Sequence, residues 1–412
     1  MTLTFKEKLQ NYADLAIEVG VGLQAGQRLI IRAPVDAAEL VRLITATAYD
    51  AGARLVDVLW HDDAVTLARF QHAPRDSFEE FPRWRTEVLN QAAENGDAVL
   101  SLYSSNPNLL KDQDPELVAV VQRVTDQHML PFRRKLMADK VNWSIIAFPV
   151  PSWAEAVFPD LPPAKQISAL WEMIFKVCRA DQIDPVEAWQ EHNHTLKVQK
   201  NFLNLKQYAA LQYKAPGTDL TIGLPEGHIW HGGSAKTVES DITFTPNIPT
   251  EEIFTLPHKD LVDGTVSSTR PLSYGGVLID DFSLTFENGR VVNVTAGQGE
   301  TVLKNLIDSD EGAARLGEIA LVPNSSPISK SGLFFYNTLY DENASCHLAL
   351  GRAYRFTLEG GNDMADEEFA VAGGNDSLTH VDFMIGSSQL DIDGITRNGA
   401  IHPIMRGGEW AF

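Results

Sequence analysis

The residues best equipped for chemistry fall into four clusters, all in the second half of the chain. Asn247–Phe254 (NIPTEEIF) carries the adjacent acids Glu251 and Glu252. Leu316–Pro323 (LGEIALVP) has Glu318 as the only acid in an apolar stretch. Asn337–Tyr354 (NTLYDENASCHLALGRAY) brings Asp341, Glu342, His347 and Tyr354. Thr379–Gly386 (THVDFMIG) sets His380 and Asp382 two apart. On a strand, residues i and i+2 point to one face. His380 and Asp382 would then meet on one side, with Val381 and Phe383 on the other. Both are good ligands for a borderline divalent metal; the pair also reads as a core or surface histidine beside a neighbouring carboxylate. Glu318 is costly to bury without a cation or hydrogen bonds, unless it lies on the exposed face of an edge strand. Glu342 and His347 are too far apart for a helical i,i+4 clip and need a turn or loop. Glu251 and Glu252, on an extended segment, point opposite ways. One could ligate a metal while a bend turns the other toward a metal-bound water; such a pair more often serves as a solvated acidic dipeptide, here after the Thr250 turn. Tyr354 alone reads as a half-buried aromatic.

Other candidates carry less. His192 and His194 lie two apart on a helical pattern and do not share a face. His61-Asp62-Asp63 ends a predicted strand, where α/β sheets bind ligands, but such a tripeptide also serves as a plain polar loop. Cys346 precedes His347 and reads as a buried structural thiol. The chain has no HExxH, GxSxG, P-loop or paired CxxC motif. Gly297-Gln298-Gly299 lacks the third glycine of a dinucleotide fingerprint and follows a hairpin.

The elements that must position these residues differ between the two halves. Residues 5–20 carry apolar positions at helical spacing, with Gly20 as a stop. Strands are predicted at Gln27–Arg32, Arg54–Trp60, Asp97–Leu102 and Trp143–Phe148. Helical patterns lie over Val35–Ala51, around 113–126 and over 164–179. Alternating strands and helices predict a parallel sheet covered on both faces. Asp184 and Pro185 then open one long helix to about Leu205. After it come short alternating segments at Asp219–Leu224, Ser240–Thr245, Gly276–Phe286 and Val291–Ala296, with Glu287-Asn288-Gly289 as a hairpin signal. The expected fold class is α/β: an N-terminal α/β domain with a mainly parallel sheet (1–185) and a C-terminal α+β catalytic domain with a mostly antiparallel sheet (186–412).

The chain has 412 residues, and its 34 basic and 55 acidic residues give a net charge of −21. A broad basic surface for nucleic acid is excluded. Cys178 and Cys346, the only cysteines, do not make a disulfide scaffold or a cysteine-based zinc site, and they suit a reducing cytoplasm. No apolar run is long enough to span a membrane.

Taken together and in order, the clusters NIPTEEIFTLP, GEIALVP, DENASCHLALG and THVDFMIG resemble those of the M29 metallopeptidases, the thermophilic aminopeptidase family. The opening LQNYADLAIEVGVGLQAGQRLIIRAPVDAAELVRLITATAYDAGA is similar to that family's N-terminal region, so the likeness covers essentially the whole chain. The resemblance implies a two-domain exopeptidase with a pair of divalent metals (Zn, Co, Mg or Mn) in the C-terminal domain. It implies as ligands Glu252, Glu318, Glu342, His347, His380 and Asp382, with Tyr354 near or on the metals. It also implies homodimers. The chemistry expected is attack of a metal-bridging hydroxide on the scissile carbonyl of peptides with a free N-terminus, with Glu251 as general base. The alternatives are a metal-dependent amidohydrolase of non-peptide amides and a catalytically inactive binding protein on the same scaffold.

Overall fold

The computed structural model describes residues 3–104, 106, 108–274 and 277–412. They form two compact units, Met1–Asn193 with Ser234–Pro249, and His194–Gly233 with Thr250–Phe412. These units do not follow a single cut in the chain. The first takes back Ser234–Pro249 because Asn247–Ile248 pairs in parallel with Trp143–Ala147 and completes its sheet.

In the first unit five parallel strands run in the order Leu55–His61, Arg28–Pro34, Ala98–Tyr103, Trp143–Ala147, Asn247–Ile248. Four of them were expected from their apolar runs. Leu29, Ile31, Leu100 and Ile146 are fully enclosed, as a sheet covered on both faces requires. The first helix, Phe5–Asp14, opens with a capping box between Thr4 and Glu7 and passes into a π-helical turn ending at Gly20. The helix predicted around 113–126 runs on from Pro115 to Met137, through Pro131, because Met129 and Phe132 continue its buried stripe. The long helix spans Pro185–Lys206, and the Asp184 carboxylate accepts from the Glu187 N–H at its start.

One expected strand is corrected. Of Ser240–Thr245, only Thr243–Phe244 is a strand; it pairs with Ala235–Lys236 and belongs to the first unit. Asp241, at φ +53°, breaks the run, and Thr237 Oγ1 and Lys236 tie the resulting turn.

In the second unit every strand pairing among the described residues is antiparallel. One large sheet contains the hairpin Val277–Glu287 and Arg290–Gln298; Gly276, where that strand was expected to begin, lies outside the described residues. Glu287 pairs with Arg290 across Asn288-Gly289, both at positive φ, the conformation a two-residue hairpin needs. A Cβ on Gly289 would also stand 1.8 Å from the Lys259 carbonyl oxygen. The second sheet has four strands, in the order Ile253–Thr255, Leu316–Leu321, His347–Gly351, His380–Met384. One face of it, formed by Ile253, Ile319, Leu321, Leu348, Leu350 and Phe383, packs into the main hydrophobic core of the unit. Each such fully buried side chain contributes roughly 1.5–3 kcal/mol, so the register is held firmly.

Candidate metal centre

The other face of the four-stranded sheet carries the predicted ligands. Alternation along each strand puts Glu318 and Ala320 on it, then His347, Ala349 and Gly351, then His380 and Asp382. Cross-strand register brings them into line: Ala349 lies opposite both Glu318 and Asp382, Gly351 opposite His380, and His347 opposite Ala320. Small residues at 349 and 351 leave open the space between the candidate ligand side chains. Glu252 immediately precedes the first strand and shares the side of Phe254, which lies opposite Ala320. A bulge between Leu316 and Glu318 adjusts the aim of the glutamate. Glu318 is on an interior strand and buried, which rules out the exposed-edge reading.

Glu318 divides its carboxylate between two groups. Oε1 stands 3.5 Å from His347 Nε2, which is also 3.3 Å from Glu252 Oε2. Oε2 stands 3.6 Å from His380 Nε2, which is also 3.4 Å from Asp382 Oδ1. Two three-ligand sets result, Glu252–Glu318–His347 and Glu318–His380–Asp382, each with its ligand atoms within 4.8 Å of one another.

Both imidazoles are oriented from behind. His347 Nδ1 lies 3.2 Å from the Ser345 carbonyl oxygen and His380 Nδ1 2.7 Å from that of Arg352. With Nδ1–H donating to these carbonyls, each ring directs Nε2 into the carboxylate cluster, where a metal that displaces the Nε2 proton would find its lone pair, the usual arrangement of a metal-ligating histidine. Glu252 Oε2 and Asp382 Oδ1 are buried without a hydrogen-bond partner. Several carboxylates gathered in an enclosed site call for positive charge, as protons on the imidazoles or as a cation, so the donor set fits divalent metal.

The electrostatics agree. Burial pushes Glu318 up, and the neighbouring acids add to it against the opposing pull of the histidines. Burial and then the Glu252 charge hold Glu342 well above the carboxylate range. Burial would lower both histidines, but Glu252 and Glu318 raise His347 well above its usual value, and Asp382 with Glu318 raises His380 to about 9. Asp382 is held low despite its burial, chiefly by the charge of His380.

The remaining expected residues fall around this core. Glu342 follows the short helix Thr338–Asp341 and feels Glu252, Asp382, His347 and Glu318, although it is in neither three-ligand set. Glu251 is buried beside Glu252, outside both sets. The Tyr354 ring is 4.8 Å from that of His380 and stacks on Phe356; burial and the surrounding acids raise its hydroxyl well above 10. Sequence reading missed Asn343. It is fully buried, accepts from the Glu251 N–H at 2.6 Å and donates to the Leu339 carbonyl, pinning two of the clusters together. Its place beside Glu342 was the available signal. Elsewhere, His192 contacts Arg179 and Trp189. Cys346 packs against Met405, its thiol pushed up to about 11 by burial, as a structural cysteine does.

A four-stranded platform presenting paired carboxylate–imidazole sets has the donor chemistry of a divalent-metal site. The family model described as thermophilic metalloprotease (M29) matches residues 5–410, and the chain belongs to that family. It is therefore a metallopeptidase. Aminopeptidase 2 of Geobacillus stearothermophilus is 51% identical over 99% of this chain and 98% of its own. Aminopeptidase AmpS of Bacillus subtilis is 49% identical over 99% of this chain and all of its own. The solved structure of wild-type AmpT from Thermus thermophilus superposes with a TM-score of 0.93 at 42% identity, covering 99% of this chain and 100% of that one.

Proposed function

We propose that this metallopeptidase is an aminopeptidase acting on peptides with a free N-terminus, with two divalent cations held by Glu252, Glu318, Glu342, His347, His380 and Asp382. The carrying observation is Glu318, whose two oxygens face separate ligand sets. Charge supports the same count: four carboxylates bring −4, and two divalent ions bring +4. The activity of the relatives supports removal of N-terminal residues.

When bound, such an ion pair supplies Lewis acidity, which activates a water for attack and polarises the scissile carbonyl. The chain's own groups do the rest. Glu251 takes the proton of the attacking water and returns it to the leaving amine. Its main chain is fixed by the Asn343 amide. Tyr354, kept neutral by burial and by the acids around it, donates a hydrogen bond to the negative charge developing on the carbonyl oxygen. The backbone carbonyls behind His347 and His380 hold both rings in one tautomer.

Glu251→Gln tests the assignment of the base. Turnover of an aminoacyl chromogenic substrate should fall by about 10²- to 10⁴-fold with metal content unchanged. Loss of metal in that variant would make Glu251 a ligand; full activity would remove it from the mechanism.

A further inference from the structure

An aromatic wall borders the carboxylate–imidazole cluster. Phe254 lies two residues beyond Glu252 and shares its side of the four-stranded sheet, opposite Ala320. The Phe254 ring is 6.3 Å from that of Tyr354 and 6.2 Å from that of Phe356. Tyr354 and Phe356 stack on one another at 5.4 Å, and Tyr354 reaches the His380 ring at 4.8 Å. Phe254 is on the first strand of this sheet and His380 on the last. The rings therefore cross the full width of the platform, beside both three-ligand sets.

The wall is held in place and carries no charge. His231 braces it: it exchanges both main-chain hydrogen bonds with Phe254, each at 2.9 Å, and its Nε2 lies 3.0 Å from the Phe356 carbonyl oxygen. Its ring also meets that of Phe356 edge-on at 4.9 Å. Burial lowers His231 to about 4, so it is neutral at pH 7. Gly232 seats this brace against the site, because a Cβ there would stand 2.3 Å from the Glu252 carbonyl oxygen. Arg355, between Tyr354 and Phe356 in sequence, is committed elsewhere, paired with Asp366 and lying over the Phe369 ring. The wall is nevertheless open to a ligand. Phe254, Tyr354 and Phe356 are each half-buried, whereas Ile253, Ile319 and Leu348 on the core side of the same sheet are fully enclosed. Ligand sites combine such aromatic lining with a few convergent polar groups.

We propose that Phe254, Tyr354 and Phe356 form the subsite for the side chain of the substrate's N-terminal residue, selecting bulky apolar residues such as leucine and phenylalanine over small or acidic ones. The inference rests on the aminopeptidase reading above. In an exopeptidase of that kind the first residue presents both its amine and its carbonyl to the site, so its side chain falls beside a wall that borders both ligand sets. A small side chain leaves the rings uncovered. An acidic one meets the like charge of Glu252 and Glu318 and loses its water against apolar rings.

The test is kcat/KM of the full-length, metal-supplemented protein on the p-nitroanilides of leucine, phenylalanine, alanine and glutamate. The wild type should favour the first two by roughly tenfold or more. In Phe356→Ala and in Phe254→Ala the loss should fall on the leucine and phenylalanine substrates, lowering their ratio to alanine roughly tenfold. That ratio, taken within one protein, is independent of the fraction folded. Phe356→Leu should restore the preference for leucine. Calorimetric binding of phenylalaninol and alaninol, amino alcohols without a scissile bond, gives a readout apart from turnover and should show the same loss of discrimination. Equal wild-type rates on leucine and alanine, or variants that slow every substrate by the same factor, would overturn the subsite and leave the aminopeptidase reading standing. Wild-type protein that hydrolyses none of the four would overturn both.

Discussion

At the scale of the residue, Glu318 is the hinge of the proposed function, because one carboxylate serves both ligand sets. Glu318→Gln should cost both ions and reduce activity to background, whereas Asp382→Asn should weaken chiefly the set it shares with His380. Metal content and activity of the two variants, measured side by side, check this; loss of a single ion in Glu318→Gln would contradict the shared role. Protonation gives a second test. His380 is raised to about 9 and His347 well above its usual value, so at pH 7 an entering cation must displace their protons. Affinity should therefore rise from pH 6 toward pH 9 as the proton competitor is removed. Competition with a chromophoric chelator across that range reads the effect, and a flat profile would contradict it. His380 and Asp382 were legible in the sequence because a strand period of two is enough to pair them. Choosing Glu252 over Glu251 rested on family resemblance, since local spacing is silent on which of two neighbours faces a partner more than 60 residues away.

At the scale of the element, the platform works because its two faces are chemically distinct. Ile319, Leu348 and Phe383 fix the register from the core side, and Ala349 and Gly351 keep the ligand side open. Ala349→Leu should fill the space between Glu318 and Asp382. Its overpacking cost of about 1–3 kcal/mol leaves a fold that melts cooperatively but no longer holds metal; unchanged metal content would contradict the register described. The parallel strands and the Asn288-Gly289 hairpin were readable from apolar runs and turn chemistry. Ser240–Thr245 was not, because an alternating pattern does not reveal that Asp241 will turn the chain. The full length of the Pro115–Met137 helix was hidden too, since Pro131 reads locally as a stop. Asn343 escaped notice because its work, tying Glu251 to the Glu342 segment, exists only once distant elements have packed.

At the scale of the whole molecule, a chain of net charge −21 gathers four carboxylates in one buried site. Their mutual repulsion would make bound cations part of the fold's stability. Chelation should lower the melting temperature, and resupply should restore it. An ion present at about 1,000 times its dissociation constant contributes about 4 kcal/mol, which differential scanning calorimetry resolves; an unchanged melting temperature would mean that the site is not loaded. No helix among the described residues is long and apolar enough to cross a membrane, and Cys178 and Cys346 are both buried and not in a disulfide.

The proposed function is a two-ion aminopeptidase site organised around Glu318. Its most direct test is to strip the protein with chelator, titrate it with zinc or cobalt, and follow bound ions per chain together with hydrolysis of an aminoacyl chromogenic substrate. Saturation at two ions per chain is expected, with activity returning as the second ion binds. Saturation at one ion with full activity, or two ions bound without any aminopeptidase activity, would contradict it.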